Sequence, residues 1–220
     1  MPNLEQILGR FFTYAKDRQR SRFKALTVTA AINDVQTDFN RKTGLYRLRQ
    51  SLPIAAGVVD LTNLSAAELG GPVLRLEDLA QNSRRIDPIS VDELDNLGNR
   101  DGAEWRTAVD PPIEHWLQGL ATGAAGGAMT VHVWPFVTVA NPAVGVDVHY
   151  AAMPPELRAR DAVPVLPPTY HIALVWGVLE MLMGDAAKSD DDRDIAAGAS
   201  KRYRDLVADG QAEVRRWQTG

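Results

Sequence analysis

Residues 183–198, MGDAAKSDDDRDIAAG, hold five aspartates within ten positions: Asp185, Asp190, Asp191, Asp192 and Asp194. Clustered carboxylates bind hard cations, so the first chemistry to consider is a calcium-type site. Such a loop places oxygen ligands at alternating positions, a glycine at the sixth and a bidentate glutamate at the twelfth. Counted from Asp185, the sixth position is Asp190 and the twelfth is Ala196, and the pattern is not met. Aspartates that precede a helical stripe beginning at Ile195 have a simpler use. They accept hydrogen bonds from the unpaired first N–H groups of the helix and complement the positive end of its dipole. The run is therefore expected to open a helix.

Histidine offers His115, His132, His149 and His171, with no HxxxH or HExxH spacing among them. His132 and His149 fall on two segments that read as strands. If those strands form a hairpin closing near Asn141, the two imidazoles share a face with Asp147 nearby, and a zinc site becomes an alternative. The competing reading is a pair of half-exposed sheet histidines. His171, at the start of an apolar helix, is expected to hydrogen-bond a neighbouring loop. There is no GxSxG, no GxxxxGK[ST] and no GxGxxG after a strand, so nucleophilic and phosphate-cradling enzyme classes find no support. Two basic patches, KDRQRSRFK (residues 16–24) and Arg215–Arg216–Trp217, suit an acidic or phosphate surface, or simply a solvated helix end. Trp105, Trp116 and Trp134 crowd the middle of the chain; tryptophan belongs to cores and also anchors protein interfaces.

These residues must be positioned by a chain of 220 residues that is 45% hydrophobic, enough to bury a core. It carries 24 basic and 28 acidic side chains, and a net charge of -4 gives little drive for non-specific nucleic-acid binding. Without cysteine, disulfides, thiolate metal sites and cysteine nucleophiles are excluded. The N-terminus lacks the basic-then-apolar order of a secretory signal, and IALVWGVLEMLM is too short for a bilayer and contains Glu180. The expectation is a soluble protein folding in a reducing cytoplasm.

Leu4, Ile7, Leu8, Phe11, Phe12 and Ala15 recur at helical spacing. A second helix is expected from an N-cap at Thr27 or Thr29, through Val28, Ala31, Ile32, Val35 and Phe39, to a stop at Gly44. From residue 45 the pattern changes to short alternating segments, YRLRQSLPIAAGVVDLTN and GPVLRLEDLAQ. A short helix or turn near residues 92–97, an irregular loop with Trp105, Pro111, Pro112 and Trp116, and a link GAAGGA at 123–128 follow. MTVHVW and VGVDVHY read as strands, with Val131 and Val133 on one face, and Val144, Val146, Val148 and Tyr150 on one face of the other. Pro168 and Thr169 start an apolar helix that Gly184 should end. The last helix carries one stripe through Ile195, Ala199, Tyr203, Leu206, Val207, Gly210, Val214 and Trp217. The predicted fold class is mainly α (α+β), a single domain over 1–220. A helical bundle of the N- and C-terminal helices (about 3–44 and 166–217) would carry a β-rich insertion at about 45–153.

The series AAINDVQTDFNRKTGLYR, LPIAAGVVDLTN, VLRLEDLAQNSRRIDPISVDELDNL, EWR, PPIEHWL, VWPF, VGVDVHYAAMPPEL and LPPTYHIALVWGVLEML, followed by an acidic entry into a last helix, resembles the head-to-tail adaptor (connector) proteins of tailed bacteriophages. The similarity spans nearly the whole chain and is best from Pro154 to Trp217. It implies a non-enzymatic structural protein of the virion neck, assembled in the host cytoplasm, without cofactor or metal. It further implies a homo-oligomeric ring, commonly of twelve copies, bound beneath the portal protein, joined below to a tail or neck protein, with packaged DNA passing through unbound. Arg215, Arg216 and Trp217 become candidate portal contacts, and Trp105 and Trp116 candidate contacts with portal or neighbouring copies. Because the chain stops three residues after Trp217, no long embedded C-terminal tail is expected. A tail-completion or stopper protein of the same neck is the nearest alternative. A metal-dependent enzyme using the aspartates with His132 or His149, and a DNA-binding module using the basic helix ends, are the others.

Overall fold

The computed structural model describes residues 1–17, 19–55, 58–61, 73–81, 84–90, 92–93, 115–117, 130–134, 145–185 and 189–219. These hold four α-helices and seven strands: α1 (Leu4–Tyr14), α2 (Ala25–Thr43), β1 (Arg47–Ala55), β2 (Val58–Asp60), β3 (Val73–Gln81), β4 (Arg84–Ile89), β5 (His115–Leu117), β6 (Thr130–Trp134), β7 (Gly145–Ala152), α3 (His171–Asp185) and α4 (Asp190–Thr219). The chain divides into two compact units, Met1–Arg47 with Ala151–Gly220, and Leu48–Tyr150.

The first unit is helical. Asn3 and Gln6 form a reciprocal cap on α1, each side chain bonding the other's backbone N–H. Two further N–H groups of that first turn donate across the chain, Leu4 to the Ala162 carbonyl at 2.8 Å and Glu5 to Arg160 at 3.0 Å. Helix α2 begins at Ala25 with Lys24 as cap, earlier than the threonine caps predicted: the fully buried Val28 already donates its N–H to the Lys24 carbonyl at 3.1 Å, which closes the first turn. It ends where expected, at Gly44, whose φ of 73° is the left-handed conformation glycine adopts without steric cost. Phe11, Ile32, Phe39, Leu174, Val178 and Leu179 lie at the centre of this core. Gly184 does not terminate α3, which runs one residue past it to Asp185.

An amide ladder on one flank of α2 ties down the strap that leads to α3. Asn33 accepts from the Leu157 N–H at 2.9 Å, and Gln36 donates to Pro155 O at 3.2 Å. Fully buried Asn40 accepts from Tyr46 N–H at 2.6 Å and donates to the carbonyls of Tyr46 and Ala152. Backbone groups that would otherwise be buried and unpaired are thereby satisfied.

The second unit overturns the predicted fold class. The strands are not an insertion decorating a mainly α bundle; they close into a seven-stranded barrel in the order β1-β2-β6-β5-β4-β3-β7. Closure leaves no open sheet edge and lets each strand bury one face inward. Register places apolar residues opposite one another, Ile54 with Val59, Val59 with Val131, Trp116 with Val133 and Leu79 with Ile86, all buried. Val146, Val148 and Tyr150 point into the same interior, and the predicted alternation in β6 and β7 is observed. Two local expectations are corrected. Strands β6 and β7 are not a hairpin, because β6 lies between β2 and β5 while β7 lies beside β3. Trp116 is not in an irregular loop but in β5, paired parallel to β4 and antiparallel to β6. Trp105, Pro111, Pro112, Asn141, Val144 and the GAAGGA link lie outside the described residues.

Candidate interaction surfaces

The aspartate run opens α4, as expected. Ser189 accepts from the Asp192 N–H, and Asp190, Asp191 and Asp192 fill the first turn. Less expected is what faces them. The basic segment after α1 folds back so that Arg22 grips Asp192 through two parallel bonds of 2.8 and 2.9 Å, and Lys16 reaches Asp191 at 3.2 Å. Arg193 pairs with Asp190 within the helix. The two charge clusters that the sequence keeps far apart thus form one clasp. Its turn is organised by buried Asp17, which accepts from the N–H groups of Ser21, Arg22 and Phe23 and from the Ser21 hydroxyl. Burial pushes the Asp17 pKa up, but the Phe23, Ser21 and Arg22 donors outweigh it, and the net shift is downward. On either side, Lys16 and Arg20 hold φ of 54°, a left-handed backbone that non-glycine residues adopt only when surroundings enforce it. The hydrogen bonds that Arg22 donates to Asp192 are the leading reason its pKa is raised.

His132 and His149 are half-buried on β6 and β7, strands that do not neighbour each other, so the shared face required for zinc is not formed. Asp147 instead pairs with Arg49 at 2.6 Å. Among the described residues, no group of three or more His, Asp or Glu side chains is placed to hold a metal ion. His171 is buried, with Nε2 2.8 Å from the Leu166 carbonyl, the loop contact predicted for it.

Of the tryptophans, Trp116 is 8% exposed and belongs to the barrel interior, and Trp105 lies outside the described residues. Trp176, not singled out in the sequence, is sandwiched at the helical surface between Tyr14, 4.7 Å away ring to ring, and the Arg202 guanidinium, 4.4 Å from its centroid. Helix α4 spans 30 residues, twice the 15 of α3. Its apolar stripe is buried at Ala199, Tyr203, Gly210 and Val214, yet Trp217, next in the series, is 49% exposed, with exposed Arg215 and Arg216 before it. Tyr170 fastens the later part of α4, donating to Glu213 at 2.6 Å; burial, then that bond and the carboxylates nearby, push its pKa up to about 12. An aromatic and two arginines at an uncovered helix end have the composition of interface hot spots.

The clasp and the barrel interior are satisfied within the chain, and the Arg215–Arg216–Trp217 end of α4 is exposed. The model of the SU10 adaptor protein family matches residues 2–220, and the chain belongs to that family of phage head-to-tail adaptors. No curated protein matches it.

Proposed function

We propose that the protein forms a homo-oligomeric ring, commonly of twelve copies, beneath the portal protein in the neck of a tailed phage. The ring extends the DNA channel and offers its other end to a tail or neck protein. The family match over residues 2–220 carries this proposal. In such a ring each copy buries surface against two neighbours through a heterologous contact that closes on itself. A net charge of -4 suits a channel that lets DNA pass without specific binding.

In this proposal the end of α4 docks on the portal, with Trp217 as the apolar anchor and Arg215 and Arg216 beside it. Trp116 contributes by holding the barrel, since its side chain is buried. Mixing the purified chain with portal and measuring the mass of the complex tests both parts. A ring-sized addition to portal is expected, with Trp217→Ala weakening it about tenfold or more. A monodisperse monomer, both alone and with portal, overturns the proposal.

A further inference from the structure

The helical unit carries two different hollows on its surface. One lies over α3 between α2 and α4, with a volume of ≈ 290 Å³, lined by Val35, Gly177 and Met181 and by three charged residues, Asp38, Lys42 and Glu180. The other, of ≈ 600 Å³, lies on the outer face of α1 and is lined by Gln6, Gly9, Arg10, Thr13 and Tyr14.

In the first hollow Lys42 is committed to Asp38, 2.6 Å away, and lies over the ring of Tyr203, whose hydroxyl also donates to Asp38 at 2.9 Å. Glu180 accepts from the Ser200 hydroxyl at 2.7 Å and, among the described residues, has no cation paired with it. Arg204, one turn after Ser200, bonds the Ser200 carbonyl of its own helix. Beside Glu180, Met181 is 39% exposed, a large apolar side chain left in water. In the second hollow Arg10 is exposed and makes no hydrogen bond or ion pair among the described residues. Its neighbour Gly9 is exposed in mid-helix, where glycine weakens the helix relative to alanine, and a Cβ there would meet nothing within 4 Å. Each hollow thus holds one unpaired charge, of opposite sign, next to one feature of shape: a knob at Met181 and a notch at Gly9.

Tyr14 of α1 stacks on Trp176, which lies about 100° around α3 from Gly177. Helix α1 therefore covers another flank of α3, and its outer face points away from the hollow between α2 and α4. One copy cannot bring the two hollows together. A head-to-tail ring requires such a pair, two different and complementary surfaces on different sides of each subunit. We propose that the outer face of α1 of one copy seats on the α2–α4 hollow of the next, with Arg10 paired to Glu180 of the adjoining copy and Met181 entering the notch at Gly9. The missing side chain at Gly9 lets the helices approach to the usual spacing of about 8–10 Å. Tyr203, beside the hollow, is about 20 Å along α4 from Trp217, so this contact and the portal contact proposed above do not compete. The inference rests on the ring proposed above and names the two surfaces that close it.

Sedimentation of the full chain across a concentration series, alone and with portal, gives the midpoint for assembly. Arg10→Glu and Glu180→Arg are each expected to raise that midpoint about tenfold or more, since like charges then face across every contact. The combined variant restores each pair with its signs reversed and is expected to assemble towards wild type. Because Arg10 and Glu180 do not meet within one chain, a local role gives no such rescue. Gly9→Leu fills the notch with a residue that suits an exposed helix position better than glycine, so the midpoint should rise while the melting temperature does not fall. Melting curves of the other variants report folding separately.

If the wild type assembles and these variants assemble equally well, the ring stands and this contact is wrong. A combined variant no better than either single one also refutes the pairing. A wild type that never assembles, alone or with portal, overturns both. Crosslinking reads which surfaces meet, since the chain has no cysteine of its own. Chains carrying Gly9→Cys should join chains carrying Met181→Cys through a short thiol-reactive linker. Joining of Met181→Cys only to another Met181→Cys would mean same-face packing and would overturn the contact.

Discussion

Arg22, in the loop after α1, and Asp192, in the first turn of α4, are joined by two parallel hydrogen-bonded contacts although 170 residues separate them. The pair is largely withdrawn from water, with side chains 27% and 11% exposed. Arg22→Ala leaves the carboxylate without its principal cation. A loss of about 2 to 3 kcal/mol is expected in urea unfolding, below the cost for a fully buried pair because Arg22 retains some solvent. Adding Asp192→Ala should recover part of the loss, and a double-mutant cycle without coupling would refute the clasp.

Asp17 makes the same loop sensitive to acid. Its folded pKa is depressed below the ordinary 3.8. The stability it contributes is therefore complete above that value and lost as pH falls through it towards the lower folded pKa. Asp17→Asn should lower the melting temperature at pH 6, and the gap from wild type should narrow between pH 4 and pH 2. A gap independent of pH would show that the carboxylate charge is irrelevant.

Asn40 is predicted to be the least replaceable polar residue of α2. One side chain satisfies the N–H and C=O of Tyr46 and the C=O of Ala152, with no exposure of its own. Asn40→Ala strands the Tyr46 N–H and the Ala152 carbonyl, while the Tyr46 carbonyl keeps the Ala152 N–H, and is expected to cost about 2 to 4 kcal/mol. Asn40→Asp should be no better, since the new carboxylate faces two carbonyl oxygens where the amide donated. Unfolding midpoints of the three proteins check the order.

Glycines in the helices should divide by their surroundings. A methyl group at Gly177 would sit 2.4 Å from Val35 Cγ1 and 3.0 Å from the Tyr203 ring, where α2 and α4 close on α3. Gly177→Ala should destabilise by about 1 to 3 kcal/mol through overpacking. At Gly198, on exposed α4, nothing lies within 4 Å, and Gly198→Ala should stabilise by about 0.5 to 1 kcal/mol. Thermal melts with opposite signs are the expected outcome, and two losses of similar size would contradict it.

The sequence by itself determined the elements whose cause is local. Helix stripes such as Leu4–Ile7–Phe11 and Ala199–Tyr203–Gly210–Val214, the stop at Gly44, and the alternation of Val131–Val133 and Val146–Val148–Tyr150 follow from a few neighbouring residues and the period of the backbone. The placement of the aspartates at a helix start was legible for the same reason. Tertiary structure alone decided who meets whom. Strand β5 is three residues long and carries almost no pattern, yet it separates β4 from β6; and because β6 lies between β2 and β5 while β7 lies beside β3, the apparent hairpin of His132 and His149 does not form. Barrel order, the Asn40 bridge and the Arg22–Asp192 clasp join segments far apart in the chain. Their pairing is set by which buried faces and unpaired polar groups can be satisfied together, a condition that no single stretch of sequence contains.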